Sequence, residues 1–108
     1  MNFCLDRDKV LFLFIDIQDA LASAIHDIDR VKKYAGVLAD GAEIMNIPAV
    51  FTTQYKRGLG EFNEAIRSKV SGGADFDKKA FSCMLDDEIA AYIEEKKPEQ
   101  VVVCGIET

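Results

Sequence analysis

The chain has 108 residues, 49% of them hydrophobic and 30% charged, which is typical of a single soluble globular domain. It carries 13 basic and 19 acidic side chains, a net charge of -6, and no Lys or Arg run dense enough to neutralise nucleic-acid phosphates. Its apolar runs are far shorter than the roughly 20 residues of a membrane span, and its first residues lack the pattern of a secretory leader. We therefore expect neither a nucleic-acid partner nor a membrane partner.

The cysteine and histidine content argues against a disulfide framework and against a metal site. Cys4, Cys83 and Cys104 are odd in number and widely spaced, which fits neither arrangement and predicts a cytoplasmic protein. His26 is the single histidine and has no partner at ligand spacing, so no metal and no cofactor is predicted. Cys104, inside an apolar strand, is expected to be a buried inert thiol. Cys83 is either a packed side chain or a thiol of low pKa near a helix start.

The first half of the chain predicts a strand followed by a helix. Residues 10–15 are a continuous apolar run, which indicates a central strand covered on both faces, and the run ends at Asp16. A helix is predicted from the helical spacing of apolar residues, namely Val31, Tyr34, Ala35, Leu38, Ala42 and Met45. Asp27 or Asp29 would cap its start, and Asn46 would form its left-handed C-cap.

The middle of the chain predicts two more strands with a short helix between them. Residues 49–53 read as a strand that leads into a polar loop over residues 54–60. Apolar positions between 62 and 70 predict a short helix that stops at the Ser-Gly-Gly of residues 71–73. A third strand is expected around residues 76–81, where two lysines and an aspartate weaken the strand signal.

The last quarter of the chain predicts a helix and a final strand. Acidic residues at positions 86–88 would lie in the first turn of the helix, Leu85, Ile89 and Ile93 would form its core stripe, and Pro98 would end it. Residues 101–104 then read as a fully buried strand. This alternation predicts the α/β class, a three-layer α/β/α Rossmann-like parallel sheet with right-handed crossovers and a ligand crevice at the carboxyl ends of its strands.

Four short patterns occur in order along this scaffold. Asp16 and Gln18 form a D-x-Q pattern after the first strand, Lys78 stands three residues before an aromatic-Ser pair at Phe81, and residues 105–108 read G-I-E-T. The T-Q-Y-K-R-G-L-G loop after the second strand is the fourth pattern. Together they resemble the isochorismatase-like cysteine hydrolases, in particular a subgroup of small members with a similar loop, and the resemblance covers the whole chain.

The resemblance implies a sheet order of 3-2-1-4 and a small-molecule hydrolase. Residues 1–108 would be an isochorismatase-like domain that is incomplete at its C-terminus, with further strands and the nucleophilic cysteine expected just beyond Thr108. That enzyme would cleave a small amide, ester or vinyl-ether substrate. Asp16 would act as the general base and Lys78 as a cation that favours the thiolate, with Lys79 as the fallback for the second role. A homo-oligomer is also expected.

Other expectations complete the candidate site. Gln18, Gln54, Tyr55 and Phe81 are predicted to line the substrate crevice, although a polar loop after a strand carries such residues in any case. Without the resemblance, Asp16 would more simply be a residue that caps a loop or helix. The second functional class is a non-catalytic module, a truncated relative that serves in binding or in oligomerisation.

Overall fold

The computed structural model of the chain describes residues 4–22, 26–80 and 82–106. In chain order its strands and helices are β1 (Val10–Ile15), α1 (Asp19–Ala22), α2 (Ile28–Met45), β2 (Ala49–Gln54), α3 (Lys56–Leu59), α4 (Glu64–Arg67), β3 (Ala74–Lys78), α5 (Asp87–Lys96) and β4 (Gln100–Gly105). A 3-10 turn, Cys83–Leu85, precedes α5. No described helix is long and apolar enough to cross a membrane.

The four strands form one parallel sheet in the order β3-β2-β1-β4, which confirms the predicted order and fold class. All six residues of β1 are buried, because β1 pairs with β2 on one edge and β4 on the other while helices cover both its faces. The continuous apolar run that predicted a central strand is therefore explained by burial on two faces.

The alternation of side chains along β1 divides the core in two. Val10, Phe12 and Phe14 point towards α2 and α4, on what we call the α2 face of the sheet. Leu11, Leu13 and Ile15 point towards the opposite side, the α5 face, where Ile89 packs from α5. On the α2 face the Phe14 ring stacks on the Phe51 ring with centroids 4.7 Å apart. Three small residues of α2 let the helix approach this face, namely Ala35, Ala39 and Ala42.

The ends of α2 and its buried side differ in part from the sequence prediction. The helix begins after Asp27, whose φ of 61° is left-handed and whose side chain makes no capping hydrogen bond. Asn46 forms the predicted left-handed C-cap, with φ of 55°. Tyr34 and Met45 were expected in the core stripe, and that expectation is wrong because both are exposed. The stripe of alanines is the side of the helix that contacts the sheet.

The third strand lies earlier than residues 76–81, the range that the sequence predicted. It spans Ala74–Lys78 and alternates between partly buried and exposed side chains as far as the buried Lys78, as expected for an edge strand. Its pairing with β2 ends where the Tyr55 amide donates to the Lys78 carbonyl, 2.9 Å away. The predicted strand was misplaced because Asp75 and Asp77, which read as loop residues, point away from the α5 face. Phe81 lies outside the described residues.

The helix α5 starts two residues later than its expected core stripe. The Asp86 carboxylate caps it by accepting the amides of Glu88 and Ile89 at 3.0 and 3.1 Å. Leu85 therefore lies in the preceding 3-10 turn and is exposed, so its predicted place in the core stripe is wrong. Ile89 is fully buried and Ile93 packs against the same cluster, as predicted.

The last strand is an edge and is not buried on both faces. Val101 and Val103 are 44% and 52% exposed, which overturns the predicted full burial of residues 101–104. Their register opposite Leu11 and Leu13 puts them on the α5 face, where the described helices leave them uncovered. At the end of β4 a side chain on Gly105 would meet the Ile15 carbonyl oxygen at 2.2 Å, so only glycine fits there.

Stability should depend strongly on the aromatic stack of the α2 face. Phe14→Ala should lower the free energy of unfolding by about 3–5 kcal/mol, because it leaves a cavity beneath Phe51. Val103→Ala, a truncation on the same sheet at a half-exposed position, should cost far less. Urea unfolding of the protein measures both, and equal losses would contradict the assignment of the core.

Candidate functional site

The two charged residues singled out from the sequence meet at the carboxyl edge of the sheet. Asp16 directly follows β1 and has a left-handed φ of 54°, which turns its carboxylate across the end of the strand. Lys78 is the last residue of β3. Its Nζ lies 2.7 Å from Asp16 Oδ2, and both side chains are 0% exposed. The expected approach of Asp16 and Lys78 is therefore confirmed and is closer than predicted, since they form an ion pair.

Two side chains of β2 bridge the gap between these residues. Thr52 and Gln54 are two residues apart, so both face the α5 side of the sheet, as Val50 does. The Thr52 hydroxyl donates to Asp16 Oδ1 at 2.8 Å, and Lys78 Nζ donates to Gln54 Oε1 at 2.7 Å. The Gln54 Nε2 in turn donates to the Lys79 carbonyl at 2.9 Å, which fixes the orientation of its amide. The ion pair is therefore held by side chains of β2, the strand that lies between β1 and β3.

The Gln18 side chain connects the end of β2 to the loop that follows it. Its Oε1 accepts a hydrogen bond from the backbone amide of Gln54 at 2.7 Å. Its Nε2 donates to the backbone carbonyls of Gln54 and Gly60 at 3.2 and 2.7 Å. The side chain is fully buried. Since both Nε2 hydrogens and the amide oxygen are engaged within the protein, the contacts of Gln18 are those of a residue that positions the loop.

Cys83 lies beside the ion pair, on the α5 face. Burial raises the pKa of its thiol, an effect that the Lys78 ammonium and the Thr52 hydroxyl oppose and that the Asp16 carboxylate reinforces. The alternative of a low-pKa thiol at Cys83 is therefore wrong, and the packed thiol is confirmed. Burial also raises the pKa of Cys104 to about 11, which agrees with the expected inert thiol.

The remaining predicted site residues are exposed or lie outside the described residues. Tyr55 is half-exposed at the start of α3, with a left-handed φ of 46°. Lys79 is exposed, and it is Lys78 that forms the ion pair with Asp16. Phe81 lies in one of the gaps in the described chain. His26 is exposed, and among the described residues no group of three or more His, Cys, Asp or Glu side chains could hold a metal ion.

Thr52 is the site residue that the sequence reasoning missed. The signal that could have found it is the two-residue period of a strand, because Thr52 precedes Gln54 by two and must share its face.

Odd-numbered residues of the same strands line a pocket on the other face of the sheet. A pocket of about 470 Å³ opens where Phe51, Thr53, Asp75 and Asp77 face the α2 side, with Arg67 at its wall. Alternation therefore places most of this lining on the side of the sheet opposite to the ion pair.

Comparison with known proteins agrees with the resemblance in the sequence. The model of the isochorismatase domain matches residues 10–108. The chain is 31% identical over 107 residues to the secreted isochorismatase effector Isc1 of Phytophthora sojae, covering 94% of this chain and 50% of that protein. It is 30% identical to isochorismatase domain-containing protein 2 of Danio rerio, covering 90% of this chain and 48% of that one. The chain thus spans about half the length of these curated relatives.

Solved structures share the fold over nearly all of the chain. The MAR1 ribonuclease of Caenorhabditis elegans superimposes with a TM-score of 0.86 at 27% identity, over 95% of this chain and 53% of that one. The YcaC gene product of Escherichia coli, described as an octameric hydrolase of unknown specificity, gives a TM-score of 0.88 at 19% identity, over 98% and 54%. The second likeness shows the fold alone.

Removing one member of the ion pair should destabilise the protein more than removing both. Lys78→Met should lower the free energy of unfolding by about 3–5 kcal/mol, because it leaves the Asp16 carboxylate buried without its cation. Adding Asp16→Asn to that variant should restore part of the loss. Lys79→Met is the matched control and should have little effect in urea unfolding. An equal loss for the two lysine variants would contradict the assignment of Lys78.

The three thiols should differ in their reactivity towards a disulfide reagent. At pH 8 the exposed Cys4 should react fast, whereas Cys104, with a pKa of about 11, has about one thiolate in a thousand molecules and is partly covered. Cys83 should be slow as well, because burial raises its pKa and blocks access. Stopped-flow labelling of Cys4→Ser measures the slow pair alone. A fast thiol in that variant would contradict the slow reaction expected of Cys83 and Cys104.

Proposed function

The chain belongs to the isochorismatase family, and we propose that it forms the first half of a cysteine hydrolase that cleaves a small amide, ester or vinyl-ether substrate. In this proposal Asp16 is the general base and Lys78 the cation of the site. The nucleophile is a cysteine in the turn that follows β4, beyond Thr108. The observation that carries the proposal is the fully buried ion pair between Asp16 and Lys78, 2.7 Å apart at the carboxyl edge of the sheet.

The energetics of such a pair support a role in catalysis over a role in stability. Two charges that leave water lose much hydration energy, and replacing a buried pair by apolar residues is often neutral or stabilising. Asp16 also has a left-handed backbone, a conformation that costs free energy for residues other than glycine. Buried charges and backbone strain cluster at functional sites because chemistry needs them there.

For an amide or ester substrate, the proposed reaction uses these groups for acyl transfer. Asp16 takes the proton of the thiol, while the Lys78 ammonium favours the thiolate form. The sulfur attacks the substrate carbonyl carbon, and the new C–S bond gives a tetrahedral oxyanion that backbone amides of the turn would hold. When the C–N or C–O bond breaks, Asp16 returns its proton to the leaving amine or alcohol. Water then hydrolyses the thioester, which releases the acid and regenerates the thiol.

Within this proposal the two glutamines have different roles from those first expected. Gln54 touches the Lys78 ammonium, and its amide is oriented by the Lys79 carbonyl, so it would hold the cation towards the nucleophile. Gln18 fixes the loop that carries Gln54. We therefore propose both as positioning residues. The exposed Tyr55 remains our candidate for a contact with substrate.

The cellular compartment and the oligomeric state are also proposals. We propose a reducing cytoplasm, which the three widely spaced cysteines support, and we propose a homo-oligomer. The Phytophthora sojae relative is a secreted effector by name, and the nematode relative is a ribonuclease by name. A net charge of -6 without a basic stripe disfavours RNA as the substrate of this chain. RNA nevertheless belongs in the assay, beside the small amides and esters.

The activity of the full-length protein should depend on Asp16. Asp16→Asn should lower kcat/KM by about 10²–10⁴, the usual loss when a general base is removed. Asp8→Asn, which changes an exposed aspartate before β1, is the matched control and should leave kcat/KM unchanged. The assay uses a panel of small amides and esters with nicotinamide-like and isochorismate-like compounds, and RNA. A polypeptide that ends at Thr108 should be inactive.

Two outcomes would contradict this proposal. An Asp16→Asn enzyme with unchanged kcat/KM would mean that another residue set carries the chemistry. Circular dichroism of an inactive Asp16→Asn variant separates loss of the base from loss of the fold. A full-length protein that is inactive on the whole panel, and whose thiol after β4 alkylates no faster than a free cysteine, would favour the alternative of a non-catalytic binding or oligomerisation module.

A further inference from the structure

The Asp16 carboxylate is held at both of its oxygens, from two different strands. Lys78 Nζ, at the end of β3, lies 2.7 Å from Oδ2, and the Thr52 hydroxyl, on β2, donates to Oδ1 at 2.8 Å. The backbone amide of Asp16 also donates to the Thr52 carbonyl at 3.1 Å. Thr52 therefore contacts Asp16 twice, once at the backbone and once at the side chain.

The two contacts at the carboxylate have different effects on its orientation. The last torsion of an aspartate side chain is broad, so a contact at one oxygen leaves the carboxylate plane free to turn. The Lys78 ammonium is a compact charge on a flexible stem, which attracts the carboxylate without fixing that plane. A second contact, at Oδ1, fixes it. Because a carboxylate accepts a proton close to its own plane, the Thr52 hydroxyl sets the direction in which Asp16 can act as a base.

The Thr52 hydroxyl is itself held in place by the sheet. Thr52 is fully buried and pairs in register with Ile15, the residue of β1 that precedes Asp16. Its branched side chain has few accessible rotamers in a strand. The donor is therefore ordered before any substrate binds, as an effective site requires.

The hydrogen of the Thr52 hydroxyl goes to Asp16. An ionised carboxylate can only accept hydrogen bonds, so the hydroxyl must donate to it. Burial raises the pKa of the neighbouring Cys83 thiol, which therefore stays neutral at pH 7 and is a weak competing acceptor. The hydroxyl also has lone pairs of its own. It can thus stay hydrogen-bonded to Asp16 after the carboxylate has taken up a proton.

The next residue along β2 makes a bond of the same kind on the opposite face of the sheet. The Thr53 hydroxyl donates to Asp77 Oδ1 at 2.8 Å, and the same oxygen accepts the Lys56 amide at 2.8 Å. Asp77 is exposed, whereas Asp16 is fully buried. The two threonine–aspartate bonds therefore have the same length and donor but differ in the setting of the carboxylate, which makes Thr53 an internal control for Thr52.

From these contacts we infer that Thr52 is a positioning residue for the general base, and that its hydroxyl turns the Asp16 carboxylate towards the thiol that follows β4. The end of β4 lies beside the end of β1, where Gly105 pairs with Ile15, so a thiol after β4 would approach Asp16 from that side. The inference rests on the proposed function, since Thr52 has this role only if Asp16 is the base.

Steady-state kinetics of the full-length protein on its best substrate from the panel test the inference. Thr52→Val keeps the shape of the side chain and removes the hydroxyl, and it should lower kcat by about 10–100-fold, the range for a lost hydrogen bond to a charged group. KM should change little, because the fully buried Thr52 does not reach the substrate. Thr52→Ser should keep most of kcat. Thr53→Val, the matched control, should leave kcat unchanged.

A double variant separates positioning of the base from a purely structural role. In an Asp16→Asn background the carboxylate that Thr52 orients is gone, so adding Thr52→Val should cause little further loss of kcat. A structural role would give the same fold loss in both backgrounds. Urea unfolding shows whether each variant is folded under the assay conditions. If Thr52→Val does not fold, Thr52→Ala takes its place in the comparison with Thr52→Ser.

The results that would overturn the inference differ from those that would overturn the proposed function. Unchanged kcat in Thr52→Val, with a strong loss in Asp16→Asn, overturns the inference alone. Equal losses in Thr52→Val and Thr52→Ser, or additive losses in the double variant, do the same. Unchanged kcat/KM in Asp16→Asn, or a full-length protein that behaves as a non-catalytic module, overturns the inference together with the proposed function.

Discussion

The Lys78 ammonium and the Asp16 carboxylate leave water together, and the rest of the site follows from that constraint. Neither charge is tolerable in the interior alone, so β1 and β3 must both be in place, with β2 between them, before the pair can form. The hydroxyl of Thr52 and the amide of Gln54 satisfy further lone pairs and protons of the pair. Strand β2 thus sets the separation between the two charges, which lie at the ends of its neighbours β1 and β3.

The second consequence concerns the loop after β2. Its path is fixed by one buried carboxamide, since Gln18 hydrogen-bonds both the end of β2 and the Gly60 carbonyl. Gln18 itself follows the left-handed turn at Asp16 by two residues. The same few residues after β1 therefore aim the carboxylate and anchor the neighbouring loop. A change in the backbone there would alter charge placement and loop position together.

The sequence predicted those parts of the molecule that depend on strong and local patterns. The uninterrupted apolar run of β1 predicted a strand buried on two faces. The resemblance to the isochorismatase-like family predicted that Asp16 and Lys78 lie at one edge of the sheet. Apolar spacing could not choose between two sides of α2, because alanines and larger side chains both count as apolar, so Tyr34 was assigned to the wrong side. The polar strand β3 gave little signal because exposed aspartates alternate with its other residues. The prediction misplaced Leu85 because this residue lies in a 3-10 turn, which no local sequence pattern predicts.

The polar edge strand β3 has a consequence for how the protein loses its site. It pairs with one neighbour only and contributes few apolar side chains, so its separation from the sheet exposes much less hydrocarbon than the melting of β1 or β2. Lys78 leaves with it. The cooperative unit that contains the ion pair is therefore smaller and weaker than the unit that contains the core. We therefore expect the amide protons of β3 to exchange through partial opening, in molecules whose remaining sheet is intact and whose charge pair has already been lost.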